Sequence, residues 1–189
     1  MKGVVTWLIL LLLLGPSGFV AGAELQNQAE YLPKLRLPVP GNQADRDYLG
    51  LTGKTGEGFT FSDIKADILL IELFSMYCSY CQKAAPRVNE LYARMDEIGQ
   101  SGPVVKIIGL GASNSPFEVD YFMDTYHIDF PLFADRDRSM YGALAGAGTP
   151  TFIGCRLQIG GKSTIVLRRA GVFSSADGFL AELIEKAGF

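Results

Sequence analysis

Two thiols, Cys78 and Cys81, stand three residues apart with Ser79 and Tyr80 between them. The pair follows an apolar run, Ile68-Leu69-Leu70-Ile71-Glu72-Leu73-Phe74, and leads into a helical pattern over residues 82–95. At a strand-to-helix junction, this spacing lets two sulfurs join and separate with little backbone movement. The first sulfur falls at the positive end of the helix dipole, beside N–H groups with no partner inside the helix, and both effects favour thiolate. Cys78 is therefore the expected attacking thiol. Cys81, one turn on and deeper, is the expected resolving thiol.

Two further groups have types and positions suited to the same chemistry. Glu72 interrupts an otherwise apolar strand six residues before Cys78. A carboxyl buried there is costly to ionise, so its pKa rises and it becomes able to take or return the proton of Cys81; an edge-facing, solvated Glu is the alternative. Lys106, on the next predicted strand, is its expected charge partner. Gly148-Thr149-Pro150-Thr151-Phe152 opens another strand, where a proline is confined to a first position, an edge or a bulge. If Thr149–Pro150 is cis, the Thr149 backbone faces outward and is free to pair with an extended partner chain; an ordinary trans turn proline, the commoner case, is the alternative. Cys155 reads as a buried inert thiol, and His127, the single histidine, as a loop residue.

The elements that must position these groups follow from periodicity. Strands are expected at 58–61 (a short edge), 67–74, 104–109, 130–133, 151–157 and 164–169, with Gly160-Gly161 turning between the last two. Helices are expected at 79–98 with a kink at Pro86, at 118–126 with Asn114 or Ser115 as cap, at 138–145, and from Ser174 or Ser175 to about 187. Strands alternating first with long helices, then a hairpin and a last helix, specify a mixed α/β sheet covered on both faces.

Residues 1–23 read as a targeting segment: Lys2, then an apolar stretch over 4–14, a Gly15-Pro16-Ser17-Gly18 break and small residues at Ala21-Gly22-Ala23. An uncleaved membrane anchor is the alternative. In either case the remainder is exported, to the periplasm or another extracytoplasmic space where disulfides persist. Residues 24–56, with Pro33, Pro38 and Pro40 and several glycines, read as a loosely structured lead-in, and 57–189 as the folded domain. The 189 residues carry a net charge of −3 with scattered basic side chains, which argues against nucleic acid as a partner. Three cysteines are too few, and odd in number, for a structural disulfide framework.

Glu72, Cys78-Ser79-Tyr80-Cys81, Pro86 and Gly148-Thr149-Pro150-Thr151, in that order and spacing, resemble the thioredoxin superfamily. Ala112-Ser113-Asn114, a helix, then Tyr126-His127-Ile128-Asp129-Phe130-Pro131-Leu132 and Asp135 resemble the helix and strand inserted in its TlpA-like exported branch. The likeness covers roughly 57–189. It implies a thioredoxin-like mixed sheet flanked by helices, with an inserted helix and strand in the middle. The implied activity is an exported thiol–disulfide oxidoreductase, a reductant of protein cysteines with a part in cytochrome c maturation. Protein thiols or disulfides are its substrates, and a membrane protein donates or accepts its electrons. Cys78, Cys81 and Glu72 carry the chemistry, and Thr149, Pro150, Tyr77 and Tyr80 meet the partner chain. No cofactor or metal is called for.

Two departures bear on direction: Tyr77 stands where the family usually has Trp, and Ser79-Tyr80 lacks both the proline of thioredoxins and the histidine of strong oxidants. About 30 mV corresponds to ~1.4 kcal/mol, so such changes blur reductant against oxidant. Two other classes stay open. A peroxiredoxin-like peroxidase would use Cys78, although Ile71 and Ser75 occupy the places of its usual Pro and Thr. A redox-inert module binding metal or peptide would use the cysteines and His127, but zinc prefers thiols on a knuckle rather than at the head of a long helix.

Overall fold

The computed structural model describes residues 30–189 apart from 54, 55 and 57; the expected targeting segment lies outside the described residues. In chain order, β1 (Arg36–Leu37), α1 (Gln43–Leu49) and β2 (Phe59–Thr60) precede β3 (Ile68–Phe74) and α2 (Ser79–Gly99). Then come β4 (Val105–Ala112), α3 (Pro116–Tyr126), β5 (Leu132–Asp135) and α4 (Ser139–Ala143). β6 (Thr151–Arg156), β7 (Thr164–Ala170) and α5 (Ala176–Lys186) close the chain.

Five strands form one sheet in the order β5-β4-β3-β6-β7. β3 pairs in parallel with β4 and antiparallel with β6, so it lies at the centre, and every one of its side chains is buried. That placement explains its unbroken apolar run, since a strand covered on both faces has no polar side. Alternate residues feed two cores. Ile68, Leu70 and Phe74 join the layer formed with α2, α3 and α5, and Leu69, Ile71 and Leu73 join the layer under β1, α1, β2 and α4. Phe74 packs against Phe122 of α3 with tilted rings whose centroids are 4.7 Å apart, which ties the inserted helix to the central strand.

The elements differ from the sequence expectation in bounded ways. β4 runs on to Ala112, because Gly109 to Ala112 pair with β5, the first three of them while still paired with β3. α2 continues through Pro86, which lies on its exposed face. Water can there serve the carbonyl that proline leaves without a donor. α3 begins at Pro116, one residue after a Ser115 cap whose side chain accepts from the Glu118 N–H, with the Glu118 carboxylate bonded back to the Ser115 N–H. Proline in the first helical turn costs no hydrogen bond, so the helix starts before Glu118.

The largest difference is the lead-in, which is ordered rather than loose over its described residues. Asn42 caps α1 through the Asp45 N–H, and Gly50 ends it in the left-handed region at φ 71°. A side chain at Gly50 would also strike the Lys65 side chain. Leu37, Leu49 and Leu51 are sealed against the sheet. The Tyr48 hydroxyl donates to the Ile107 carbonyl (3.3 Å) and accepts from the Ile107 N–H (2.8 Å), which satisfies the edge of β4 before β5 begins. The Pro and Gly content signals loop, yet the Asn42 and Gly50 caps bracket a helix of seven residues.

Because these leucines belong to the same core as β3, Leu49→Ala is expected to destabilise the whole domain by about 2–5 kcal/mol. Denaturant unfolding followed by two probes checks this. Loss of α1 signal ahead of the sheet, with the main transition unmoved, would mean that the segment is only an appendage.

Candidate active site

At the carboxyl end of β3 the chain leaves the sheet through Ser75-Met76-Tyr77 and turns into α2 with Cys78 as its N-cap residue. The Cys78 N–H donates to the Ser75 carbonyl (3.0 Å), and the Cys78 carbonyl accepts the first helical bond from the Gln82 N–H (3.1 Å). The Met76 peptide is gripped from both sides. Its N–H donates to Asn114 Oδ1 (2.9 Å), and its carbonyl accepts from Gln82 Nε2 (2.8 Å). The Tyr77 hydroxyl donates to the Glu118 carboxylate at the start of α3. The loop carrying the first thiol is thus fastened to its own helix and to the inserted segment.

Cys78 is partly exposed and Cys81 is fully buried. The two thiols are within hydrogen-bonding reach of each other. Cys78 Sγ also lies 3.1 Å from the Thr149 carbonyl oxygen, and the Thr149–Pro150 peptide is cis. Burial pushes the Cys78 thiol up, but hydrogen bonds from the Thr149 side chain, the Cys81 thiol and the backbone N–H groups of Cys81 and Tyr80 outweigh it and hold the thiol below its ordinary value. The Thr149 carbonyl, an acceptor, opposes them by favouring the protonated form. Burial dominates at Cys81 and pushes it far up, with hydrogen bonding to Cys78 and the nearby Glu72 charge adding to it.

Glu72 is 4% exposed on the face of β3 that meets α2. Burial, reinforced by the negative charge at Cys78, pushes its carboxyl up to about 8. Lys106 is not its partner. It registers opposite Leu69, while Glu72 faces Gly109, so the two side chains point to opposite faces of the sheet. The Lys106 ammonium lies instead over the Tyr48 ring at 5.5 Å.

Cys155 is also remote, because it pairs with Leu69 and belongs to the other core. Burial pushes its thiol far up. His127 is the exposed, left-handed C-cap of α3. Among the described residues, no group of three or more His, Cys, Asp or Glu is gathered as a metal would need. Tyr77 and Tyr80 expose 69% and 66% of their surfaces beside Cys78.

Three residues near the thiols escape the sequence reading. Asn114 is fully buried and spends its side-chain oxygen on Met76, while its Nδ2 finds no partner among the described residues. The helix-cap signal concealed it, for the cap is its neighbour Ser115. Arg138 and Tyr141 reach the groove beside Cys78 from the turn after β5. Asp135 builds that turn, since its buried carboxylate accepts from the Met140 N–H (3.1 Å) and the Tyr141 N–H (2.7 Å). Their place past the carboxyl end of a strand is a general signal for site residues in such sheets, but a sequence does not show which strand is neighbour to which.

Residues 40–174 match the model of the AhpC/TSA family. The chain is 27% identical over 144 residues to the thiol-disulfide oxidoreductase ResA of Bacillus anthracis, covering 76% of each. It is 26% identical over 101 residues to the protein of that name from Bacillus subtilis, covering 53% of this chain and 54% of that one. Among solved structures, a Chlorobium tepidum protein provisionally assigned as a thiol:disulfide interchange protein DsbE superposes with a TM-score of 0.60 at 16% identity. That match covers 86% of this chain and 99% of the other. A secreted Mycobacterium tuberculosis disulfide oxidoreductase superposes with a TM-score of 0.52 at 18% identity, over 68% and 88%. The fold is thioredoxin-like, as the sequence motifs imply.

The raised Glu72 carboxyl makes a pH prediction. Its pKa is higher folded (about 8) than its ordinary 4.5, so the folded protein holds a proton that the unfolded chain releases. The stability this contributes is complete below 4.5 and is lost as pH rises through 8. Denaturant unfolding of the reduced protein is therefore expected to show wild-type stability falling relative to Glu72→Gln across that window. Parallel stability–pH curves for the two proteins would mean that Glu72 does not stay protonated in the fold.

Proposed function

This chain belongs to the AhpC/TSA family, and we propose that it is an extracytoplasmic thiol–disulfide oxidoreductase working through Cys78 and Cys81 as a reductant of protein disulfides. The observation that carries the reading is a partly exposed, acidified thiol at a helix N-terminus, within reach of a second thiol that is buried and kept protonated beside a buried carboxyl.

In the reducing direction, the Cys78 thiolate attacks one sulfur of a client disulfide. A Cys78–client bond forms, the client bond breaks, and the freed client sulfur leaves as thiolate and takes a proton from solvent. The negative charge on Cys78 disappears at this step, and with it one of the causes that hold Glu72 protonated. Glu72 then loses its proton to solvent more readily, and the carboxylate so formed accepts the proton of Cys81. The Cys81 thiolate attacks Cys78, the Cys78–client bond breaks as the Cys78–Cys81 bond forms, and the second client sulfur leaves as thiolate and takes a proton from solvent. The client gains two electrons from the pair, which a dithiol partner must replace.

A strong oxidant owes its potential to a heavily stabilised thiolate in its reduced form. Here burial offsets part of that stabilisation at Cys78, and both Cys81 and Glu72 hold protons, which supports a reductant. Thr149 and Pro150 beside Cys78, with the exposed rings of Tyr77 and Tyr80, form the surface on which an extended client strand lies. A membrane protein carrying a dithiol is the fitting electron donor. Clients that need free cysteines before accepting a prosthetic group, such as apocytochromes c, suit the exported branch by analogy. Export itself rests on the apolar N-terminal stretch and on the secreted relative. No helix among the described residues is long and apolar enough to cross a membrane.

Reduced wild-type protein mixed with a cystine-bridged peptide is expected to exchange and end as the Cys78–Cys81 disulfide. Cys78→Ser abolishes the exchange. Cys81→Ser accumulates a one-to-one peptide adduct at Cys78, read by mass spectrometry. Absence of exchange together with absence of the adduct overturns the proposal. If hydrogen peroxide is instead consumed catalytically while the peptide is ignored, the peroxiredoxin-like alternative replaces it.

A further inference from the structure

Beside Cys78 an open groove of about 360 Å3 is lined by Tyr77, Cys78, Ser113, Arg138, Tyr141 and Thr149. Among the described residues, Arg138 is the only cation on its wall. The side chain is exposed, and its guanidinium lies 4.3 Å over the Tyr141 ring. That contact uses the face of the cation, and among the described residues it is the one partner found for the guanidinium.

The neighbouring carboxylates are already engaged. Asp135 accepts from Ser139, Met140 and Tyr141; Asp137 accepts from the Ser139 N–H; Glu118 is bonded to Ser115 and Tyr77. The groove therefore holds a positive charge whose N–H donors are free. The backbone at Arg138 is left-handed, with φ 61° and ψ 23°, a conformation that glycine adopts without cost and a long side chain does not. An arginine at such a position is a local disadvantage unless its side chain has work to do.

We propose that Arg138 selects clients with a carboxylate two or three residues from the target cysteine. This rests on the exchange reading of the same site. The guanidinium fork matches a carboxylate in charge and in shape. An extended chain advances about 3.3 Å per residue, so a side chain at that spacing leaves Cys78 and runs along the groove that Arg138 lines. The occupant is thus an acidic, extended segment of a client protein, laid between Thr149 and the turn after β5.

The test uses reduced full-length protein and two peptide disulfides identical except for Asp or Lys two residues from the cystine. Wild type is expected to exchange with the Asp peptide about three- to five-fold faster than with the Lys peptide, the range of an exposed ion pair. The ratio falls toward one in about 0.5 M salt. Arg138→Gly, at home at this φ, keeps the melting temperature and brings the ratio to about one. Arg138→Glu inverts it, and Arg136→Gln, a control that removes a nearby charge outside the groove, leaves it at the wild-type value. Equal rates for wild type on both peptides, or a ratio that survives Arg138→Gly, overturn the inference while leaving the exchange reading intact. Failure of wild type to exchange with either peptide defeats the exchange reading, and this inference with it.

Discussion

Burial of one carboxyl beneath two sulfurs organises this molecule. Glu72 occupies the central strand, in a layer from which water is excluded, and its ionisation is opposed first by desolvation and second by charge at Cys78. Low polarity around the three groups makes each proton sensitive to the charge on the others. A carboxyl at the surface would ignore the state of Cys78. A buried one responds to it, so in the proposed exchange the loss of one negative charge on mixed-disulfide formation prepares the release of the next proton. The arrangement requires both faces of β3 to be covered, which α2, α3 and α5 do on one side and α1 and α4 on the other.

The loop between β3 and α2 is held for the same purpose. Asn114, Gln82 and Glu118 bind Met76 and Tyr77 from two elements, so the first thiol is presented at a fixed height over the second. Two of these groups come from the segment between β4 and β5. The inserted helix is consequently part of the frame of the reactive loop as well as an added layer, and its Phe122 locks onto Phe74, four residues before Cys78. Asp135 plays a parallel role on the far wall, where it builds the turn that brings Arg138 and Tyr141 to the groove.

Much of this was legible in the chain itself. The thiol spacing, the apolar run before it and the lone acid within that run were sufficient to single out Cys78, Cys81 and Glu72 as candidates and to place them around one strand-to-helix junction. Thr149 and Pro150 became candidates through the resemblance to the thioredoxin superfamily, since a proline at a strand entrance is by itself more often an ordinary trans turn residue. The ordered lead-in was not legible, since Pro and Gly content outweighed two cap signals around a short helix. Lys106 was paired wrongly with Glu72 because a neighbouring strand does not reveal its register, and one residue of register moves a side chain to the other face.

Local chemistry, then, was set by the order of residues: which atoms could react, at which helix end, and with what neighbour along the strand. Tertiary structure alone decided which distant groups meet them. Asn114 on Met76, the Thr149 carbonyl on Cys78 and Arg138 in the groove are separated from the thiols by tens of residues. Their meeting depends on strand order, on register and on the cores that seal the two faces of the sheet. Those are cooperative outcomes of packing, and no short stretch of sequence contains them.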